Sequence, residues 1–599
     1  MNKITSKELR NKWIKFYEGK GHVNIGSVSL IGDGQTGVMF NVAGMQSLMP
    51  YLLGEKEHKD GKRLCNVQGC VRTNDIDNIG DETHFSFFEM MGNWSIGDYF
   101  KKEKVAWTFE LLTEVFGLDK DKICSTVFAG SKSAPKDDET AKLLEEIGVK
   151  KENIFFLEEN WWNLEGTVGT PCGPDNEWFY PKHENKCCPN CDINCKCERF
   201  VEIGNDVFMQ YKQLGNGKYE ELKNKNVDTG FGFERNLAFL NGVTDCYKTD
   251  LFKSAISTIE NATGKAYGED EKTTRAIRII CDHTRTAVML IGDEKGIVPS
   301  NVGAGYILRR LIRRALRYAK QLGSNSSLLE SVSKVFIEEV YNEAYPNLLE
   351  KEEYILAELQ KEANKFERTL EQGIKEFEKL INNLKNFASD VKIVAGNKAF
   401  RLFDTFGFPL ELTVELANEK GYSVDTDGFK KAFEEHQAKS KGVSKGEFKS
   451  GLANEGEMTT KYHTATHLLN AALKKLLGEK CHQAGSNITA ERLRFDFPCD
   501  HKLTQEELDF LTKIINGWIA DAIDVSVEEM PKEKAVEIGA EHQFLDRYPD
   551  IVSVYTIGNV SKEICTGPHV KNTRELGKFV IKKEEASSSG IRRIKAILE

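Results

Sequence analysis

The chain has no apolar h-region at its N-terminus and no apolar run long enough to span a bilayer. Neither a secretory leader nor a membrane anchor is expected, and the cytoplasm is the expected compartment. It contains no G-x-x-x-x-G-K-[ST], which excludes a P-loop as the means of holding a nucleotide. Positive charge is the minority sign. With 82 Lys and Arg against 92 Asp and Glu the net charge is −10, so nucleic-acid binding would need a local basic surface. Disulfide spacing is absent too: of 14 Cys, five crowd into residues 187–197, a pattern that suits a metal. What is there is ordinary for a globular protein, 40% hydrophobic and 29% charged, and 599 residues exceed a single core. Three or four domains are expected.

The most informative stretch is Arg63–Phe100, RLCNVQGCVRTNDIDNIGDETHFSFFEMMGNWSIGDYF. An alternating segment ends at Val71–Arg72, a turn-rich loop covers Thr73 to Thr83, and His84–Met91 returns, which reads as strand, loop, strand. Arg72 at the end of one strand and Phe87–Phe88 on the other offer a cation for phosphate and a flat face for a base. An aromatic hairpin buried in a core is the plain alternative. Farther on, Val227-Asp-Thr-Gly-Phe-Gly-Phe-Glu-Arg235 has two glycines that let backbone approach a ligand, then a helix with Arg235 in its first turns. Asp228 could hold an ammonium and Arg235 a phosphate.

Other segments set the frame. Thr5-Ser-Lys-Glu8 is a capping box for a first helix near Ser6. Residues 38–54 read as a strand followed by a short helix, and Gly169–Pro174 as a rigid loop beside Trp161–Trp162. Between Lys295 and Leu329 there is no acidic residue, while Arg309, Arg310, Arg313, Arg314, Arg317 and Lys320 occur within it. Helical spacing puts Arg310, Arg313, Arg314 and Arg317 along one side, a solvated face or a phosphate-binding one. Residues 243–440 read as helical, with an apolar stripe from Leu359 to Leu384 that packs in its own core. Residues 441–457 read as a linker. His463 and His467, four apart, and Cys565 and His569, four apart, make two half-sites for one zinc ion. No Glu follows the first His, so H-E-x-x-H protease chemistry is not supported. Cys188, Cys191, Cys195 and Cys197, with Cys187 spare, are spaced for a second zinc, with reduced surface thiols as the alternative.

Taken in order, these motifs resemble the alanyl-tRNA synthetases. Phe40–Met45 is similar to the family's first class II motif, Cys70–Arg72 with Phe87–Tyr99 to the second, and Val227–Arg235 to the third. The match continues through Pro299–Asn301, Tyr306–Arg310, Phe403–Pro409, His463–His467, Cys565–His569 and Gly590–Ile594. The resemblance implies an α+β multidomain protein. An antiparallel class II sheet flanked by helices would occupy 1–242 with its Cys-rich insertion at 187–197, a helical tRNA-recognition domain 243–440, and an α/β zinc-containing editing domain 458–599. It implies alanine activation with ATP and Mg2+, transfer to tRNA(Ala), and hydrolysis of Ser- and Gly-tRNA(Ala). By matching position, Arg72, Asp228 and Arg235 are catalytic, and Arg72, Phe88 (or Phe87), Glu89 and Arg235 meet ATP. Met45, Trp162, Val207 and Asp228 would enclose alanine. Asn301 and Asp404 would straddle a G·U pair of the acceptor stem, with Arg310, Arg313 and Arg314 on phosphates. His463, Thr466, His467, Gln483, Cys565 and His569 would form the editing site.

Three departures from the family stand out. The loop after Arg72 lacks the usual Gly-Gly-Lys. The linker is too short for the β-barrel that commonly precedes the editing domain, and the chain stops just past Ile594, so a minimal form and a monomer are expected. A synthetase-like RNA-binding protein, or a trans-hydrolase of mischarged tRNA, is the alternative; the intact Arg72, Asp228 and Arg235 argue against both.

Overall fold

The first helix, Ser6–Gly19, begins where the capping box predicts: Thr5 Oγ1 accepts from Glu8 N–H and the Glu8 carboxylate accepts from Thr5 N–H. Leu9, Trp13 and Tyr17, on one side of it, are fully buried. The computed structural model describes residues 3–599 except 33–37, 74–75, 77, 165–166, 190, 196, 198, 388–391, 442–455, 479–480, 542–549, 566 and 589–590. Most of the expected linker and part of the loop after Arg72 lie outside the described residues, as does Gly590.

Contacts divide the chain into two units, 1–425 and 426–599. The expected boundary near residue 242 is not a division between compact units, because the helices that follow pack into the same unit as the sheet. That sheet contains β1 (Val23–Asn24), β2 (Arg63–Val71), β3 (Phe87–Ile96), β4 (Cys124–Phe128), β5 (Ile154–Leu157), β6 (Trp161–Trp162), β7 (Pro171–Pro181), β8 (Phe200–Gly215) and β9 (Lys218–Gly232). Their order is β1-β2-β3-β9-β8-β7-β4-β5, with β6 beside β7. The β1–β2 and β4–β5 pairs are parallel; the central β2-β3-β9-β8-β7 run is antiparallel throughout. Two local expectations differ. Residues 38–42 make an isolated Ile31–Phe40 bridge, not a strand, and Pro171–Pro174 belong to β7, where a register shift between Cys172 and Asp175 absorbs the prolines.

Residues 243–425 are mostly helical, as expected, with a small parallel pair of β10 (Ile393–Val394) and β11 (Ser423–Val424). The stripe from Leu359 belongs to one long helix, Glu352–Phe387. Its Leu359, Ala363, Phe366, Leu370, Phe377 and Ile381 are buried in this chain. A Cβ on Gly373 would meet the Phe408 ring at 2.2 Å, so glycine is what lets that ring close on the helix.

In the second unit, β12 (Gly485–Ile488), β13 (Leu493–Pro498), β17 (Phe579–Ser588) and β18 (Ile591–Leu598) form an antiparallel sheet in the order β12-β13-β18-β17. β14 (Val525–Pro531), β15 (Ile551–Ile557) and β16 (Ser561–Ile564) form a second. Helices Glu457–Leu477 and Gln505–Ala520 cover the first sheet through Leu468, Leu469, Leu473, Leu511 and Ile515 against Phe495, Phe579 and Ile594. Among the described residues no helix is long and apolar enough to cross a membrane.

Candidate active site and metal clusters

The β2–β3 hairpin forms as expected, and Arg72 follows β2 directly. Its backbone N–H donates to Ser86 O at 2.9 Å, its Nε to Val42 O at 3.2 Å, and its guanidinium lies 4.9 Å over the Phe88 ring. A fixed cation and an aromatic face are thus joined. Strand alternation then decides which neighbours can serve a ligand there. Phe88, Met90, Gly92 and Trp94 share one face. Phe87 and Glu89 share the other, so two expectations need correcting. Phe87 is fully buried under the Arg285 guanidinium and beside Tyr341. Glu89, expected at ATP, is 1% exposed and held by both prongs of Arg10 at 2.5 and 3.0 Å. Its carboxylate fastens the first helix to the back of the sheet.

The register of the front face assembles the candidate site row by row. Trp94 sits opposite Asp228, Asp228 opposite Val207, and Val207 opposite Asp175, across β3, β9, β8 and β7. Trp94 Nε1–H donates to Asp228 Oδ1 at 2.6 Å. Met45, Val207 and Trp94 are one buried cluster, with Trp162 packed against it. All four expected alanine-site residues are therefore brought together, around a carboxylate whose pKa burial raises to about 7 against the pull of the Trp94 N–H and Lys104. The next row is Gly92, Gly230, Asn205 and Glu177. A Cβ on Gly92 would meet the Trp94 ring at 2.4 Å, and one on Gly230 would meet Met90 Sδ at 3.2 Å. Glycine here is what lets the Trp94 ring and the Met90 side chain lie close against the sheet surface.

Three carboxylates were not anticipated. Asp175 and Glu177 on β7 lie near Glu202 on β8, and burial and mutual repulsion raise the pKa of Asp175 and Glu177. Asp175 Oδ1 is buried with no hydrogen-bond partner. An orphaned carboxylate oxygen among further carboxylates fits a hard divalent cation such as Mg2+. The Asp-x-Glu alternation of β7 was a legible signal, hidden by reading the prolines as a loop.

Arg235 lies in the first turn of helix Phe233–Leu240, as expected, and its Nη1 pairs with Glu202 Oε2 at 3.0 Å. Both line an open cleft of about 380 Å3 together with Lys182, Phe200 and Phe239.

The arginine helix, Gly303–Gln321, departs from expectation. Arg314 and Arg317 are 2% and 4% exposed. Arg314 pairs with Glu415 at 2.8 Å and donates to Ile76 O and His283 Nε2; Arg317 pairs with Glu419 at 2.5 Å, and Arg313 with Glu362 at 2.8 Å. Acids remote in sequence neutralise most of the stripe, so Arg313 and Arg314 do not form an open phosphate-binding face. Arg310 is half-buried in the groove they line. Asn301 and Asp404 are exposed, Asn301 accepting from Arg309 and Asp404 standing on helix Gly396–Phe406. Behind Arg314, His283 bonds Asp282 at 2.8 Å, and Asp282 accepts from both Ser86 N–H (2.9 Å) and Ser86 Oγ. Ser86 O in turn holds Arg72 N–H. A hydrogen-bonded chain through the buried Arg314, His283, Asp282 and Ser86 therefore joins Glu415 to Arg72.

In the second unit the two expected half-sites meet. One ligand atom from each of His463, His467, Cys565 and His569 lies within 4.8 Å of the others. His463 Nδ1–H donates to Pro568 O at 3.1 Å, leaving Nε2 toward Cys565 Sγ at 3.3 Å. His467 Nδ1 and His569 Nε2 are buried without hydrogen-bond partners, and burial lowers all three imidazole pKa values. Orphaned, neutral imidazole nitrogens beside a thiol fit zinc. Thr466, expected at this site, instead donates to Tyr462 O in its own helix; Thr464 is the hydroxyl that meets a ligand, at 3.1 Å from His569 Nδ1. Gln483 donates to Ser486 Oγ at 3.2 Å on the approach to β12. Glu563, unforeseen, lies 3.7 Å from His467 Nε2 and accepts from Asn470.

In the insertion, the four sulfurs within 4.8 Å of one another belong to Cys187, Cys191, Cys195 and Cys197. Cys187 takes the place expected of Cys188, which lies 3.7 Å from Cys187.

A family model for class II tRNA synthetases matches residues 8–491, and one for the threonyl and alanyl tRNA synthetase second additional domain matches 552–595. An alanine–tRNA ligase of Borrelia hermsii is 49% identical over 99% of each chain, and one of Treponema denticola 50% identical over 100% of each. The chain belongs to the alanyl-tRNA synthetase family. A more distant family member, alanine–tRNA ligase 1 of Lachnoclostridium phytofermentans, is 35% identical over 98% of this chain and 79% of its own. The class II model spans the first unit and runs into the second, where the second-additional-domain model covers 552–595.

Proposed function

We propose that the chain is an alanine–tRNA ligase with a hydrolytic editing site. The observation that carries this reading is the Trp94–Asp228–Val207 row. It sets one ionisable carboxylate, the anchor an ammonium would need, beside the apolar cluster of Met45, Val207 and Trp162, against which a methyl group would pack. Asp228 binds alanine's ammonium. The alanine carboxylate attacks the α-phosphorus of ATP, the bond to the β-phosphate oxygen breaks, and pyrophosphate leaves. Arg72 neutralises charge on the α-phosphate and the attacking carboxylate while Phe88 stacks on the base; Arg235 takes its other side. Catalysis is positioning and charge neutralisation. Asp175, Glu177 and Glu202 would hold Mg2+, which supplies charge neutralisation at the phosphates. The terminal adenosine hydroxyl of tRNA(Ala) then displaces AMP from alanyl-adenylate.

Asn301 and Asp404, exposed in the helical region, read the G·U pair of the acceptor stem, with Arg310 on phosphate. A methyl-sized pocket discriminates against serine or glycine by only about 1–3 kcal/mol. Hydrolysis of Ser- and Gly-tRNA(Ala) at His463, His467, Cys565 and His569 supplies the remainder, with Gln483 near the substrate. Zinc there would polarise or orient the scissile ester. The protein works in the cytoplasm and as a monomer, since the apolar stripe of helix Glu352–Phe387 is consumed within its own chain. Alanine-dependent ATP–pyrophosphate exchange tests the reading, and charging of tRNA(Ala) completes it. Exchange with no amino acid, or charging absent despite exchange, would refute it. Light scattering settles the monomer.

A further inference from the structure

The β7–β8 connection carries a cluster that the aminoacylation chemistry does not use. Sγ of Cys187 and Cys195 are 3.1 Å apart, and those of Cys191 and Cys197 are 3.6 Å apart. These are free thiols, neither bonded pairs nor thiols spread over a surface. Four sulfurs bound to one zinc at about 2.3 Å would stand roughly 3.8 Å from one another in a tetrahedron, so all four are already near ligand spacing. The turns that gather them are backbone-bonded: Cys191 N–H donates to Cys188 O at 3.1 Å and Cys195 N–H to Asp192 O at 3.2 Å. An all-sulfur tetrahedral donor set selects a soft or borderline metal and disfavours Mg2+ and Ca2+.

The cluster's place in the fold indicates what a metal would do. Just inside it, Lys182 N–H donates to Arg199 O at 2.8 Å, closing the β7–β8 ladder. Arg199, nearly buried, donates from Nε to His183 O at 3.0 Å and lies over the Phe200 ring. Phe200 and Lys182 line the cleft that contains Arg235, and Glu202, two residues on, holds the Arg235 guanidinium. Among the described residues the two strand ends that form this wall have no helix between them. Cross-linking them through one ion removes the freedom of an insertion that would otherwise fray at its open end.

We propose that Cys187, Cys191, Cys195 and Cys197 bind one zinc ion as four thiolates, with Cys188 outside the site, and that this ion fixes the cleft wall next to Arg235. The second half rests on the reading of Arg235 as a nucleotide-binding residue. Metal is counted by plasma emission on the full-length chain purified without chelator. Wild type should hold two zinc ions, one at each cluster. Cys187→Ser and Cys191→Ser should hold one, and Cys188→Ser two. Cys187 is exposed, so its serine variant tests ligation without disturbing a core, and its melting curve should keep the wild-type shape. In pyrophosphate exchange Cys187→Ser should raise KM for ATP roughly tenfold and leave KM for alanine unchanged. One zinc in wild type, or loss of metal from Cys188→Ser with retention in Cys187→Ser, overturns the ligand set. Iron in place of zinc overturns the metal. An unchanged KM for ATP in a zinc-depleted Cys187→Ser overturns the role. If the wild type showed no exchange at all, the ligase reading would fall while the zinc counts still decided the site.

Discussion

The Trp94 indole donates to Asp228 Oδ1 at 2.6 Å, and the same ring lies where a Cβ on Gly44 or Gly92 would collide with it. One side chain therefore both orients the Asp228 carboxylate and packs over the two glycines. Trp94→Phe keeps a ring there but removes the donor from a buried acceptor, a loss of about 1–3 kcal/mol. KM for alanine in the exchange assay should rise roughly tenfold or more, with KM for ATP little changed. Equal rises in both would mean that Trp94 supports the whole sheet face and not Asp228 in particular.

Asp228 carries the pH dependence. Its pKa is raised from 3.8 to about 7, chiefly by burial. Between those values the folded chain keeps a proton that the unfolded chain has released, so this group's contribution to stability falls as pH rises through that window, by about 1.4 kcal/mol per unit. Alanine binding runs the other way, because an ammonium needs the carboxylate. KM for alanine should climb below pH 7 while KM for ATP stays flatter. Asp228→Asn, which retains an acceptor for Trp94, should be at least as stable as wild type at pH 8, yet lose on the order of 100-fold or more in exchange kcat/KM. A mutant less stable than wild type at that pH would contradict a buried, strained carboxylate.

The hairpin, the glycine-flanked Arg235, the capping box and the paired His/Cys half-sites were legible because each depends on neighbours in sequence. Glu89 was misassigned although the strand was right, since a residue's face follows from period two and only the fold says which face meets the ligand. Arg314 failed for a different reason. Its partners, Glu415 and His283, are remote in sequence, and charge patterning along one helix cannot reveal them. Cys187 and Cys188 are adjacent, so spacing alone could not choose between them.

Arg314 and the surface residues of the helical region should part company under mutation. Arg314→Ala leaves Glu415 with Arg317 as its remaining cation and strips the buried His283 Nε2 and Ile76 O of their donor, at a cost of about 1–3 kcal/mol for each group left unpaired. Thermal melting should show a drop of many degrees. Asn301→Ala and Asp404→Ala, on exposed positions, should melt like wild type, keep alanine-dependent exchange, and lose charging of tRNA. If exchange fell in parallel with charging in either surface variant, the assignment to acceptor-stem reading would be wrong.

Replacing Cys565 should separate the two hydrolytic and synthetic activities. Cys565→Ala removes the sulfur beside His463 Nε2 while leaving every aminoacylation residue in place. It should hold one zinc ion fewer than wild type, charge alanine at the wild-type rate, and no longer clear seryl-tRNA. Glu563→Gln supplies the graded case, because its carboxylate stands 3.7 Å from His467 Nε2 beside the cluster. Such partners are worth roughly 10- to 100-fold in metal affinity. Glu563→Gln should therefore edit normally in excess zinc and fail first when a chelator competes. Wild-type seryl-tRNA clearance by a Cys565→Ala protein shown to lack that zinc would place editing somewhere other than this cluster.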